Sequence, residues 1–166
     1  MIPKRMEAFL RERLPDQTWE NRLQRDNGLC FMEFSATDVD RLARLGIEID
    51  SLGPRTVVCM WDEDAPLEVG GYLVVDNLAM GRPSMGVVRM LHDVTPAQVH
   101  SLARGMTLKS AAANLPYGGG KAGIVVRRDH AVGGSSRKGA RRAVQRAAAA
   151  RSGSIAFAGT CTPYTA

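Results

Sequence analysis

Hydrophobic positions along the chain fall into alternating helix-like and strand-like periods. Near the start, Met6, Phe9, Leu10 and Leu14 recur at helical spacing, so residues 3–14 read as a short amphipathic helix closed by Pro15. Ala36-Thr37-Asp38 offers a second helix start, with Val39, Leu42 and Leu45 as its apolar face and Gly46 as its stop. Residues 56–61 (TVVCMW) form a β-branched run and predict a strand, as do residues 72–75 and 86–90. Thr95-Pro96 then opens the longest helix, expected to reach Asn114, with Val99, Leu102, Ala103, Met106 and Ser110 on one side. Residues 121–126 predict the last strand. Helices interleaved with strands predict an α/β fold, a mixed β-sheet with flanking helices. There is no internal repeat.

The chemistry concentrates between these last two elements, where residues 106–126 read MTLKSAAANLPYGGGKAGIVV. Lys109 falls in the last turns of the long helix and Lys121 opens the following strand. The intervening Pro-Tyr-Gly-Gly-Gly reads as a turn that lets a ligand approach bare backbone. The residues around Lys121 are those of an interior, where lysines are rarely found without a partner. Burial disfavours the charged ammonium, so such a lysine trades protons nearer neutral pH, and a second lysine reinforces the effect. This pairing fits chemistry on a small anionic substrate. Taken alone, Lys109 fits a helix-dipole partner better than a functional group. A phosphate-binding loop does not fit: Leu115 stands where its first glycine belongs, and Ala122 replaces the hydroxyl residue after Lys121.

Composition narrows the picture. A chain of 166 residues suits one domain with a real core. No apolar run is long enough for a membrane-spanning helix, and residues 1–16 are too charged for a signal core. The three cysteines, Cys30, Cys59 and Cys161, are too few and scattered for a disulfide framework or a metal site. A cytoplasmic location is expected. The formal charge of +5 is unevenly spread. Residues 1–126 hold 14 Lys and Arg against 16 Asp and Glu; residues 127–166 hold 8 against 1.

Beyond these periods, the chain resembles the Glu/Leu/Phe/Val amino-acid dehydrogenase family, in its N-terminal substrate-binding and dimerisation domain. The resemblance rests on Val69-Gly70-Gly71-Tyr72, GRPSMGVVRM (residues 81–90), HDVTP (92–96), MTLKSA (106–111) and LPYGGGKAGI (115–124), all in the family's order and spacing. It implies a reversible NAD- or NADP-dependent oxidative deamination of an L-amino acid to its 2-oxo acid, by a homo-oligomer. It also implies that Lys109 holds the substrate α-carboxylate. Lys121 would be the catalytic residue, exchanging protons with the attacking water and the carbinolamine. Gly118 and Gly119 would lie against the substrate backbone. Met85 occupies the specificity position, where glutamate-specific members carry lysine and members acting on branched or aromatic substrates carry an apolar residue. A γ-carboxylate buried against Met85 would be left unpaired at a cost of several kcal/mol, so an apolar substrate is favoured over glutamate.

The chain departs from the family pattern in two regions. Arg82 and Val87 stand where the family has glycines, and Val87 narrows the space beside Met85. After residue 126 the motifs stop. The family's later Asp-Met-x-Thr segment is missing, and so is any Gly-x-Gly-x-x-Gly after a strand, so no cofactor-binding residues and no Rossmann domain are expected here. Residues 127–166 form a basic Arg/Ala/Gly/Ser-rich tail, expected to pack poorly, with at most a helix over 138–150. Back-translation of Gly159-Thr160-Cys161-Thr162-Pro163 in a shifted frame permits Asp-Met-Tyr-Thr near the required spacing. The tail is therefore read as an out-of-frame continuation, and the chain as an incomplete, inactive fragment. Two alternatives stand beside this one. RKGARRAVQR (137–146) could be a phosphate-contacting arm, but it lacks aromatic interleaving and base-reading motifs, which disfavours a nucleic-acid partner. Otherwise the chain serves as a non-catalytic assembly module.

Overall fold

Thr95 begins the element on which the rest is hung. Its side chain accepts from the backbone of Gln98, whose own side chain returns the bond, and Pro96 occupies the first helical turn. The helix that follows, α4, runs Pro96–Ala112 and ends at Asn114, which adopts positive φ where a side chain is seldom tolerated. The computed structural model describes residues 1–65, 68–125, 155–157 and 162–163. In chain order the remaining elements are α1 (Lys4–Arg13), α2 (Asp16–Arg22), β1 (Gln24–Asp26), β2 (Leu29–Ser35), α3 (Val39–Arg44), β3 (Thr56–Asp62), β4 (Gly70–Asn77), β5 (Ser84–Gly86), β6 (Val88–Leu91), β7 (Gly118–Val125), β8 (Ile155–Phe157) and β9 (Thr162–Pro163).

The strands form one mixed sheet in the order β1-β2-β3-β4-β7-β5-β8, with β6 following β5 along β7 and β9 pairing β6. Pairing is antiparallel from β1 to β7, and parallel where β7 meets β5 and β6. The parallel β6–β7 pair needs a crossover, and α4 supplies it. Met6, Leu10, Leu42, Leu45, Val99 and Ala103 meet Tyr72, Val74 and Val125 in one core, so α1, α3 and α4 cover the same face. A second cluster, including Val58, Leu73, Val88 and Ile124, occupies the opposite face.

The α/β architecture and the predicted helices agree with the hydrophobic pattern, with several corrections. Val39 points to solvent at 56% exposure, because α3 is short and only Leu42 and Leu45 reach the core. The expected strand over residues 86–90 is two strands separated by Val87. The three glycines 118–120 are not a turn but the start of β7, so Lys121 lies mid-strand rather than opening it. β7 is not the last strand either: β8 and β9 extend the parallel edge. Residues 138–150 lie outside the described residues. The pattern also left β2 and α2 unmarked. LCFMEFS is apolar almost throughout because both faces are covered, which erases the alternation that marks a strand. Its local signal was the Asn27-Gly28 pair, both at positive φ, which turns β1 into β2.

Asp76, fully buried at the end of β4, ties α4 to the sheet. It accepts hydrogen bonds from Arg104 Nε at 2.8 Å and Thr107 Oγ1 at 2.6 Å, and pairs with His100 Nε2 at 3.2 Å. Arg104 extends the link with a two-pronged contact to Asp50, at 2.7 and 2.9 Å. Burial alone would raise the Asp76 carboxyl, but the bonds from His100, Arg104 and Thr107 outweigh it and hold the group below its ordinary value. A carboxylate depressed in the folded state contributes stability above its unfolded pKa and loses it as pH falls. Stability should therefore decline as pH drops below about 4, the unfolded carboxylate value. Asp76→Ala, which leaves Arg104 short of one buried anion, should cost about 3–5 kcal/mol at pH 7. Urea unfolding monitored across pH tests both; a variant within ~1 kcal/mol of wild type would remove Asp76 as the anchor.

Candidate active site

β7 and α4 lie so close that side chains between them must be small. A Cβ added to Gly119 would sit 2.1 Å from Thr107 Oγ1 and 2.3 Å from Thr107 N, and one added to Gly123 would meet Val99 Cγ2 at 2.5 Å. The helix answers with Ala103, Thr107 and Ser110 on its buried side. Strand alternation then places Lys121, between Gly119 and Gly123, on this same face.

Lys121 is 8% exposed. Its ammonium is disfavoured first by burial, then by the charges of Arg89 and Lys109, so its pKa is lowered. Lys109 is exposed, in the last turn of α4, and its charge reaches Lys121. Both expectations about this pair, a lowered Lys121 and a nearby second lysine, agree with this geometry.

Met85 is half-buried on β5, in register with Gly119, and so shares the face of Lys121. Arg89 on β6 is in register with Gly123 and shares it too. Met85 and Arg89 therefore flank Lys121 along the neighbouring strands, and Val87 fills the break between them. Arg89 was not singled out from sequence; its signal was strand parity, two residues beyond Val87 and four beyond Met85.

Gly118 pairs with Ser84, and a Cβ there would meet the Asn77 carbonyl oxygen at 2.2 Å. A Cβ on Gly120 would meet Ser84 Oγ at 2.7 Å. Each glycine of the run thus has a packing reason that the sequence pattern alone did not reveal. The described residues offer no dinucleotide cradle. The helix start that follows β6 is closed by its own Thr95–Gln98 caps, and the glycine run lies inside the sheet. Among the described residues no group of His, Cys, Asp or Glu is placed to hold a metal, and no helix is long and apolar enough to cross a membrane.

Comparison with known proteins places this arrangement. The family model described as "Glu/Leu/Phe/Val dehydrogenase, dimerisation domain" matches residues 56–155, continuing past the end of the quoted motifs. The chain is 48% identical over 65 residues to the glutamate dehydrogenase of Thermotoga maritima, a stretch covering 39% of this chain and 15% of that protein. It is 51% identical over 55 residues to the NAD-specific glutamate dehydrogenase of Staphylococcus aureus (strain COL), covering 33% of this chain and 13% of that one. The chain thus spans a small fraction of the length of these relatives. Among solved structures, L-tryptophan dehydrogenase from Nostoc punctiforme superposes with a TM-score of 0.47 at 26% identity, covering 62% of this chain and 30% of that one.

Two glycine-to-alanine substitutions separate packing from mere flexibility. Gly119→Ala should destabilise the chain by about 1–3 kcal/mol, because Thr107 and the α4 backbone have nowhere to move. Gly105, inside α4 with nothing near its Cβ position, should gain up to about 1 kcal/mol as alanine. Thermal unfolding of both variants is the check, and opposite signs are expected.

Proposed function

Because the chain belongs to the Glu/Leu/Phe/Val dehydrogenase family, we propose that residues 1–126 are the substrate-binding and oligomerisation part of an NAD(P)-dependent L-amino-acid dehydrogenase. The observation that carries this reading is a buried lysine of lowered pKa, Lys121, on one sheet face with Met85 and within reach of the Lys109 charge.

Each group has a chemical assignment. Lys109, at the exposed mouth, pairs with the α-carboxylate of the substrate. Lys121, its pKa lowered by burial and by the charges of Arg89 and Lys109, accepts a proton from water as that water adds to the imino acid. It then returns one to the leaving amine. Gly118 and Gly119 lie alongside the substrate backbone while packing the sheet. Met85 lines the side-chain pocket and, with Val87 beside it, favours an apolar amino acid. The curated relatives are named glutamate dehydrogenases, and the apolar preference rests on Met85 and Val87 alone. A name such as NAD-specific glutamate dehydrogenase supports NAD as the hydride acceptor of the whole enzyme. The residues described here do not fit that cofactor, and the isolated chain is read as inactive. Homo-oligomer formation through this domain and a cytoplasmic location accompany the assignment, and residues 127–166 are read as out of frame. Sequencing the DNA past codon 126 decides that last point.

Kinetics decide the rest. The chain as written should give negligible nicotinamide reduction with leucine, valine, phenylalanine or glutamate; robust turnover would contradict the assignment of the cofactor elsewhere. In an enzyme completed in frame, Lys121→Ala should lower kcat by ~10²–10⁴-fold with the fold retained. Lys109→Ala should act mainly on KM, because the contact it removes exists in both ground and transition states. Met85→Lys should move preference toward glutamate. Near-normal kcat in Lys121→Ala would end the assignment of the catalytic group.

A further inference from the structure

Two glycines on neighbouring strands each seat a helix, and the gap between the two seats is a cavity. A Cβ on Gly70 of β4 would meet Pro3 Cδ at 2.8 Å and Met6 Sδ at 2.9 Å, so the start of α1 rests there. A Cβ on Gly123 of β7 would meet Val99 Cγ2 at 2.5 Å and Val94 Cγ2 at 2.8 Å, so α4 and the loop before it rest there. Register puts Gly70 opposite Val125 and Tyr72 opposite Gly123, with all four on one face. The glycines take diagonal corners of this square. Tyr72 and Val125 take the other two and line the space that the helices leave open, a cavity of about 320 Å³ walled also by Met6, Phe9 and Val94. That volume suits a small molecule. The cavity lies beside Thr95, at the opposite end of α4 from Lys109.

The polar groups of this cavity are few, and two of them are unused. Tyr72 is 1% exposed. Among the described residues Trp19 Nε1 is the one sealed side-chain atom without a partner. The Tyr72 hydroxyl, which bonds to no described residue, is therefore open to the cavity it lines. Burial first pushes this phenol well above its ordinary value, so it keeps its proton and can donate. At the rim, Glu12 has Arg13 at 3.7 Å and Asp93 has His92 at 3.7 Å. The side chain of Arg5, on the same rim, makes no ion pair or hydrogen bond among the described residues. The charge left over is a cation.

We propose that this cavity is a second small-molecule site, one that takes a carboxylate with an apolar body. The body lies against Met6, Phe9 and Val125, an acceptor oxygen receives the Tyr72 hydroxyl, and the negative charge faces Arg5. A buried hydroxyl without a partner is a cost that a ligand oxygen removes. An ammonium would instead meet carboxylates that already have cations beside them. The site is separate from the lysine pair and does not rest on the function proposed for it.

Isothermal titration calorimetry of the full chain with 3-phenylpropionate tests this, with 3-phenylpropionamide and phenethylamine as the neutral and cationic counterparts. The acid should bind saturably and more tightly than either. Tyr72→Phe should weaken it roughly tenfold. The same variant should unfold at or above the wild-type temperature, because the oxygen removed has no internal partner. Arg5→Gln, at an exposed position, should weaken the acid about two- to fivefold. In a methyl-labelled chain, nuclear Overhauser contacts should run from the ring protons to Val94 and Val125. Contacts to Met85 instead would put the probe beside the lysine pair and overturn the inference, leaving the function proposed there intact. Absence of saturable binding by the acid, tighter binding of the amine, or unchanged affinity in Tyr72→Phe or Arg5→Gln overturns it as well. So does a Tyr72→Phe chain that unfolds at lower temperature, since the hydroxyl would then have an internal partner.

Discussion

The close seat of α4 on β7 is the constraint from which the other features follow. Helix and strand approach until glycine is the residue that fits at 119 and 123, and the helix contributes alanine, threonine and serine to the same contact. Such proximity is held by the buried carboxylate of Asp76, bonded to three side chains of one helix across two turns. A helix fixed this way cannot slide along the strand without leaving a buried charge unpaired, a loss larger than most single packing defects. The distance between Lys109 on the helix and Lys121 on the strand is thereby set by the scaffold rather than by either lysine.

Burial of Lys121 follows from the same geometry. A lysine mid-strand in a buried sheet would ordinarily be expelled, because desolvating an ammonium costs more than its stem gains by packing. Here burial first, and then the charges of Arg89 and Lys109, shift Lys121 toward the neutral amine. A neutral amine is tolerable in an interior where an ammonium is not.

The parallel edge of the sheet is assembled from short pieces. β5 and β6 lie end to end on β7, broken at Val87, and β8 and β9 repeat the arrangement one strand further out. The break keeps Met85 and Arg89 on one face on either side of Lys121. Met85 and Arg89 are therefore neighbours of Lys121 across the sheet without being its neighbours in sequence.

Much of this was legible in the chain itself. The period of Met6, Leu10 and Leu14, the Thr95-Pro96 start and the β-branched run at 56–61 set element types, because local periodicity and capping act over a few residues. The Lys109 and Lys121 pair, with its glycines, was legible as a motif. Other features were not. Periodicity vanishes for LCFMEFS, covered on both faces, and a glycine run looks the same in a turn as inside a strand until its neighbours are known. Asp76 and Arg89 sit in stretches that look unremarkable, since what singles them out is a partner on another element: His100, Arg104 and Thr107 for the first, Gly123 and Lys121 for the second. The sequence by itself determined which residues could be helix, strand or proton carrier. Tertiary structure alone decided which of them share a face, because register and helix seating are settled by contacts between residues far apart along the chain.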